Sequence, residues 1–324
     1  MNRRAFLTGL TGGLLAGPLA AEAQQAGKVC RIGLLSPASG LTPIDEIFER
    51  SLRELGYIDG QNLCFERRFL AGRADQFGIA ARDLTQLPVD MIVVWGGAAA
   101  EVVRNTPNTM PVVFLAGPSI ETGLVPSLAR PGGNVTGITF HASKHLSQKH
   151  LELLKEALPK LSFVGILHVP LEDPPGAKEE TEAAARALGI RLVLYPLRTP
   201  QDLAGAFADI EKQRPQALIA APSGLLYAAR RQFIDFAVTN RLPVIYGLRE
   251  VVDDGGLMSF SPNIPAIAVR GASYVARICQ GARPADLPVE QPTRFEFVIN
   301  LKTAKALGLT IPPSLLARAD EVIQ

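Results

Sequence analysis

Eight short apolar runs, each separated from the next by about one helix length, constrain the fold of this chain more than any other feature. The runs cover residues 29–35, 63–69, 91–95 and 112–115, and then 163–168, 192–197, 217–220 and 244–248. They are rich in β-branched residues, and the stretches between them have helical periodicity. Continuous apolar strands are buried on both faces, as in parallel sheets covered by helices. The sequence therefore predicts an α/β fold with two doubly wound parallel-sheet lobes.

Two glycine-containing segments connect the predicted lobes through a multi-strand hinge. The first contains Gly133, Asn134 and Gly137, and the second contains Gly256 and Ser259. Glycine and the turn residues around it punctuate regular structure and allow the chain to change direction. A third crossing is expected around residues 295–299, where one more strand is predicted. Several crossings form a hinge, which suits closure of two lobes on a ligand.

The predicted organisation divides the chain into four parts. Residues 1–23 form a signal peptide, and residues 28–134 together with about 260–285 form lobe I. Residues 138–256 form lobe II, and residues 286–324 recross the hinge into a lobe that the sequence leaves open.

The N-terminal segment predicts export. Arg3 and Arg4 precede an uncharged, mostly apolar stretch, and residues 21–23 match an A-x-A cleavage pattern. The arginine pair also fits a twin-arginine signal, so the Sec and twin-arginine routes both stay open. We expect a periplasmic protein that is cleaved near Ala23.

Composition and missing motifs exclude several function classes. A formal net charge of +2 without a basic stripe argues against a nucleic-acid partner. The segment after the signal peptide is polar, so we expect no stable membrane insertion. The sequence contains neither a G-x-G-x-x-G loop after the first strand nor a phosphate-binding loop, and Ser223 lacks the first glycine of a nucleophile elbow. We therefore expect no catalytic residues, no cofactor, no enzyme activity and a monomer.

Cysteines and histidines leave two further chemistries to weigh. Cys30 and Cys64 begin the first two predicted strands, so they can form one disulfide; buried free thiols are the alternative that we favour. His141 and His145 share a helix face, as zinc ligands do, but no local carboxylate completes a site and His150 lies off that face. We interpret the three histidines as a solvated helix start and expect no metal.

Candidate ligand contacts follow from a general rule: sites in open α/β sheets form beyond the carboxyl ends of the strands. The rule selects Ser36, Pro37, Trp95, Gly96, Gly117, Ser119, His168, Ser223, Tyr246 and Arg249. Helix N-termini and serine hydroxyls at these ends can bind an anion. Trp95 can stack on an aromatic ligand, or it can be a core or rim residue. Arg249 can pair with a carboxylate and Glu250 with an ammonium group, or the two can form an ion pair between lobes or at the surface.

Five segments resemble a known family. They are residues 129–137 (ARPGGNVTG), 246–250 (YGLRE), 255–259 (GGLMS), 297–304 (FVINLKTA) and 310–316 (TIPPSLL). Together they resemble the ABC transporter substrate-binding proteins of the tryptophan/tyrosine type, over essentially the whole chain after the signal peptide. The resemblance implies a type I periplasmic-binding-protein fold, a ligand cleft between two lobes, and an ABC permease and ATPase as partners.

The function expected from the sequence is capture of a small organic molecule by closure of the two lobes. The resemblance suggests an aromatic amino acid or a related carboxylate as the ligand. Two alternatives stay open: an exported α/β hydrolase-like enzyme, which would turn a compound over, and a ligand-binding sensor that docks on a receptor.

Overall fold

The computed structural model describes residues 29–96, 102–103, 105–107, 109–117, 123–140, 146–173 and 175–324. The predicted signal peptide, Ser119, His141 and His145 lie outside these described residues.

The first lobe is built on a five-stranded parallel sheet with the order β2-β1-β3-β4-β5. Its strands are β1 (Cys30–Ser36), β2 (Leu63–Phe69), β3 (Met91–Trp95), β4 (Val112–Gly117) and β5 (Val135–Thr139). Between them lie helices α1 (Pro43–Glu54) and α2 (Phe77–Thr85), and the short helix Ala74–Gln76 precedes α2. Apolar clusters on both sides of this sheet explain why its strands read as continuous hydrophobic runs.

The second lobe is built on a seven-stranded sheet with the order β12-β11-β10-β9-β8-β6-β7. Its strands are β6 (Phe163–His168), β7 (Arg191–Pro196), β8 (Ala217–Ala220), β9 (Val244–Tyr246), β10 (Met258–Pro262), β11 (Phe295–Asn300) and β12 (Glu321–Ile323). The helices of this part are α3 (Leu146–Ala157), α4 (Ala177–Ala187), α5 (Asp202–Gln213), α6 (Gly224–Ala228), α7 (Arg230–Thr239), α8 (Arg249–Asp253), α10 (Leu301–Ala306) and α11 (Pro313–Leu316). Helix α9 (Ile264–Cys279) and the short helix Pro284–Asp286 stand between β10 and β11 in the chain.

Two helix-covered, mainly parallel sheets in one chain confirm the predicted α/β fold class. The exception to parallel pairing is β11, which runs antiparallel to β10. The C-terminal tail, whose lobe the sequence left open, joins the second sheet through β12.

The crossings between lobes lie close to the predicted glycine segments. Gly133 has a φ of +70°, and Asn134 follows it and donates a hydrogen bond of 2.6 Å from Nδ2 to the Met110 carbonyl oxygen. Strand β5, which contains Gly137, still pairs with β4 in the first sheet, so the chain leaves that sheet after Thr139, later than residue 134. A Cβ at Gly137 would lie 2.1 Å from the Phe114 carbonyl oxygen, so only glycine allows this close strand approach.

The second crossing follows β10, whose fully buried Ser259 pairs with β9 and β11 in the second sheet. Gly256 precedes this strand, and a Cβ there would lie 2.7 Å from the Tyr246 ring. Helix α9 then returns to the first lobe, where its apolar face joins the core under β1, β3 and β4. The third crossing follows Glu290, which forms an isolated β-bridge with Ile138 in the first lobe. From there the chain passes to β11 in the second sheet.

A disulfide joins Cys30 to Cys279, with a Cα–Cα distance of 5.8 Å. From the sequence we expected either a Cys30–Cys64 disulfide or three cysteines with free thiols. The structure shows a different pair. In the β1–β2 register, Cys30 stands opposite Leu63 while Cys64 stands opposite Arg31, so the two cysteines point to opposite faces of the sheet. The end of α9 covers the face to which Cys30 points, and Cys64 stays free.

His150 is buried, and the prediction of a solvated histidine is wrong for this residue. It is 1% exposed in α3, and its Nε2 lies 2.7 Å from the Phe260 carbonyl oxygen in β10. Burial lowers the pKa of His150 to about 4, so the ring is neutral at physiological pH. His150 therefore connects α3 to a strand of the hinge region.

Candidate functional site

A cavity of about 820 Å³, including the solvent space at its mouth, lies between the carboxyl ends of the two sheets. We call the side formed by the first lobe the first-lobe wall: Ser36, Pro37, Ala38, Thr42, Ile44, Asp45, Trp95, Gly96, Ala116, Phe140 and Ile264. The side formed by the second lobe is the second-lobe wall: Glu172, Pro222, Ser223, Gly224, Tyr227, Leu248 and Glu250.

Trp95 ends β3 and forms the aromatic part of the first-lobe wall. Its ring is 7% exposed and meets the Phe48 ring edge-on, with a centroid distance of 6.2 Å and an angle of 77°. Its buried Nε1 has no hydrogen-bond partner among the described residues. A buried N–H without a partner is costly, so this group is available to an acceptor on a ligand.

Asp45 supplies the one carboxyl of the first-lobe wall. It stands in the first turn of α1, where its Oδ2 accepts hydrogen bonds from the Thr42 backbone N–H at 2.8 Å and from the Thr42 hydroxyl at 2.6 Å. These bonds form a capping box that fixes the side chain. The carboxyl is 1% exposed, and within the described structure its Oδ1 has no partner.

Glu172 lies in the loop after β6, on the second-lobe wall. Its Oε2 accepts a hydrogen bond of 3.2 Å from the backbone N–H of Gly224 at the start of α6. Burial raises the pKa of Glu172 to about 7, repulsion from Asp173 adds to the rise, and the Gly224 bond opposes it. The carboxyl therefore titrates near physiological pH.

Glu250 is the second carboxyl of the second-lobe wall and stands in the first turn of α8. Burial raises its pKa, repulsion from Asp253 and Glu296 adds to the rise, and Arg249 lowers it. Its buried Oε2 finds no hydrogen-bond partner in the part of the chain that the structure describes. Burial likewise raises the pKa of the neighbouring Tyr227 phenol, so this hydroxyl stays neutral.

The two lobes touch at the mouth of the cavity. A Cβ built on Gly224 would lie 2.2 Å from the Pro37 Cβ of the first lobe. Next to this contact, a Cβ on Gly72 of the first lobe would lie 2.9 Å from the Leu225 Cα of the second. Real Cβ atoms do not approach this closely, so glycine at both positions allows backbone contact between the lobes, and the cavity is closed at these points.

The structure brings some of the predicted contact residues together. Ser36, Pro37, Trp95 and Gly96 line the cavity from the first lobe, and Ser223 lines it from the second. Ser36 and Ser223 are buried and accept hydrogen bonds from nearby backbone N–H groups, so each hydroxyl proton remains to be donated elsewhere. Gly117 ends β4, and Ser119 lies outside the described residues.

Three other predicted residues point away from the cavity. Tyr246 is 3% exposed and packs edge-on against Phe233 in the core of the second lobe. His168 pairs through Nδ1 with the Asp173 carboxylate. Arg249 forms ion pairs with Glu321 at 2.5 Å, with Glu296 at 3.5 Å and with Asp253 at 3.4 Å. The ion-pair alternative weighed for Arg249 describes its surroundings in the structure.

Reasoning from the sequence missed Asp45, Glu172 and Tyr227 as cavity residues and left Glu250 between two roles. For Asp45 a signal exists, because the Thr42-to-Asp45 spacing predicts a helix cap just beyond the carboxyl end of β1. Glu172 carries only a weak signal: an acidic residue in a loop that follows a buried strand. Tyr227 stands on α6, and nothing in the local sequence distinguishes it from a core aromatic.

The site combines an enclosed apolar surface with carboxyl groups from both lobes. Among the described residues, no group of three or more potential ligands could hold a metal ion, and no helix has the length and hydrophobicity to cross a membrane. What the lining offers is an aromatic face, hydroxyl groups and three carboxyls, which is an arrangement for binding a small organic molecule.

Comparisons with known proteins agree with this description. A family model described as "ABC transporter substrate binding protein" matches residues 37–323. A curated relative, the "Tyrosine-binding protein" of Clostridioides difficile (strain R20291), is 24% identical over 266 residues, which cover 81% of this chain and 75% of the relative.

Two solved structures are similar over nearly their whole length. A conserved domain protein from Vibrio cholerae has a TM-score of 0.81 and 27% identity, and the match covers 91% of this chain and 100% of that one. The ABC domain in complex with L-Trp from Streptococcus pneumonia has a TM-score of 0.80 and 25% identity, with 91% and 99% covered.

Proposed function

The chain belongs to the family of ABC transporter substrate-binding proteins, and from that premise we propose that it captures an aromatic amino acid between its two lobes. The observation that carries the proposal is the cavity between the lobes, in which a buried tryptophan faces the same space as carboxyl groups from both lobes. Relatives that bind tyrosine or are complexed with L-Trp support this ligand class.

The geometry suggests how each part of the ligand is held. An aromatic ring can lie in the apolar first-lobe wall beside Trp95, where stacking and burial contribute to affinity. The α-ammonium group can donate to the unpartnered oxygens of Asp45 and Glu250. Since these two carboxyls belong to different lobes, one ligand group would favour the closed state over the open one.

We place the protein in the periplasm, where it delivers its ligand to an ABC permease and its ATPase. The Cys30–Cys279 disulfide supports an oxidising compartment, because disulfides are rare in the cytosol. The signal-peptide pattern at residues 1–23 supports export, and it lies outside the described residues.

A thermal-shift assay with purified protein tests the ligand class. L-Tyrosine and L-tryptophan should each raise the melting temperature by mass action, since ligand at a hundredfold of its Kd contributes about 2.7 kcal/mol. Leucine and glucose serve as negative controls. Leucine has the same ammonium and carboxylate groups but no aromatic ring, and glucose has neither charged groups nor an aromatic ring. An unchanged melting temperature with both aromatic amino acids contradicts the proposal, and turnover of either compound would favour an enzyme instead.

A further inference from the structure

The charge of the cavity is strongly asymmetric. Three carboxyls line it, from Asp45, Glu172 and Glu250, and the described part of the lining contains no lysine, arginine or histidine. An isolated carboxylate in an apolar space is costly, because charge burial must be compensated by an opposite charge or by hydrogen bonds. A bound cation would supply both.

Two of these carboxyls each keep one buried oxygen without a partner. Asp45 Oδ1 and Glu250 Oε2 are hidden from solvent, and neither accepts a hydrogen bond from any described residue. Native proteins leave few buried polar atoms unsatisfied, and each such group calls for an explanation. An ammonium group has several N–H donors, so it can donate to more than one carboxyl oxygen.

The same lining offers little for a negative group. The backbone N–H groups of Ala38, Thr42, Gly96 and Gly224 already donate to acceptors within the protein, and Pro37 has none. Among the described side chains of the lining, the remaining donors are neutral, namely the Trp95 Nε1–H and hydroxyl groups. They can hydrogen-bond a carboxylate or a phenol equally, but they do not offset a charge.

We infer that the obligatory charged group of the ligand is a protonated amine held between Asp45 of the first lobe and Glu250 of the second, and that aromatic amines without a carboxylate are also ligands. The inference rests on the proposed function and refines its substrate class to aromatic primary amines, of which the amino acids are one subset. Glu172 adds a further carboxyl to the same negative field, from the second lobe. The amine thereby links the two walls, and the carboxylate is dispensable.

Calorimetry with three matched ligand classes tests the inference. The classes are the amino acids L-tyrosine and L-tryptophan, the amines tyramine and tryptamine, and the desamino acids hydroxyphenylpropionate and indolepropionate. The amines should bind within about tenfold of the corresponding amino acids, and the desamino acids at least about thirtyfold more weakly, as expected when a buried charge loses its partner.

The outcomes separate the inference from the proposed function. Amino acids that bind while amines do not, or desamino acids that bind as tightly as amino acids, would overturn the inference and leave the proposed function standing. Amines that bind while the amino acids do not would overturn the proposed ligand class and support the inference. If none of the six compounds binds, both are refuted.

Two variants assign the effect to the named carboxyls. Asp45→Asn and Glu250→Gln should each weaken tyramine binding at least about thirtyfold and should weaken hydroxyphenylpropionate binding far less, because only the amine loses a charge partner. The control is Glu211→Gln on the exposed face of α5, which should leave both affinities unchanged. Equal losses for the amine and the desamino acid would indicate a distorted cavity and refute the assignment.

Discussion

The two walls of the cavity arise from the same kind of loop, at the carboxyl ends of parallel strands, yet they differ in chemistry. The first-lobe wall is mainly apolar, with Trp95 packed on Phe48, and the carboxyl among its described residues is fixed by a helix cap. The second-lobe wall carries Glu172 and Glu250, whose pKa values burial raises, and the Tyr227 phenol. The proposed ligand has an aromatic body and a positive group, and so complements both walls.

Because the walls differ, each lobe would contribute differently to the equilibrium between the open and closed states. Burial of an aromatic ring in the first lobe is favourable whether or not the second lobe closes over it. In the proposed complex, Glu250 would contact the ammonium group only when the lobes meet, so its interaction would belong to the closed state alone. A ligand shifts an equilibrium by its differential affinity for the two states, and the second-lobe carboxyls would supply that difference.

The largest effect is expected from a change that keeps the walls apart. In Gly224→Ala the new methyl group would overlap the Pro37 Cβ, since the built Cβ lies 2.2 Å from it, and the lobes must separate to remove the clash. We expect amino-acid affinity to fall about thirtyfold by calorimetry as contacts with the second-lobe wall are lost. The matched control is Gly205→Ala in α5, where nothing lies within 4 Å of the new methyl group.

That control should bind normally and be slightly more stable, because alanine is the better helix former. Wild-type affinity in Gly224→Ala would show that the lobes need not touch for binding.

A second prediction concerns the stability of the ligand-free second-lobe wall. The pKa of Glu172 is raised from 4.5 to about 7 in the folded protein, so the folded state holds this proton more tightly than the unfolded state. The stability from this site is present below about pH 4.5 and is lost as the pH rises through 7. Glu172→Gln cannot ionise, so it removes this pH-dependent loss of stability, and its amide oxygen can still accept a hydrogen bond from the Gly224 N–H.

The variant should therefore exceed the parent in free energy of unfolding by roughly 2 kcal/mol at pH about 8, with the difference vanishing near pH 4.5. Urea titrations at a series of pH values measure this quantity, with Glu211→Gln as the control. A pH-independent difference would mean that Glu172 is not the titrating group.

The smallest effect is expected at Arg249. The sequence predicts that this residue pairs with a ligand carboxylate, whereas its guanidinium is held by Glu321, Glu296 and Asp253 outside the cavity. We expect Arg249→Ala to change amino-acid affinity less than about threefold by calorimetry, because partly exposed ion pairs contribute little. Trp95→Ala is the comparison on the first-lobe wall and should weaken binding about tenfold or more through lost ring contacts. A large loss in Arg249→Ala with little loss in Trp95→Ala would reverse these assignments.

The fold was predictable because the strand signal is local. Continuous apolar runs at helix-length spacing define two parallel sheets, and the carboxyl-end rule selects Ser36, Trp95 and Ser223, which line the cavity in the structure. The rule cannot state which way a side chain at a strand end points. Tyr246 and His168 satisfy it equally well, yet the Tyr246 ring packs into the core and His168 pairs with Asp173.

Long-range contacts were not predictable from the sequence. The partner of Cys30 is 249 residues away, and only the packing of α9 on the first sheet brings the two sulfurs together. The cluster of carboxyls has the same origin, because Asp45 belongs to a helix of one lobe and Glu250 to a helix of the other. Residues that meet only after both lobes have folded and closed leave no pattern in local sequence.

A crystal structure of the protein with L-tyrosine would show directly how the two walls share the ligand. We expect the ring to lie beside Trp95 and the ammonium nitrogen to lie within about 3.2 Å of carboxyl oxygens from both Asp45 and Glu250. A ligand bound outside the cavity, or one whose ammonium group contacts the carboxyls of only one lobe, would contradict this expectation.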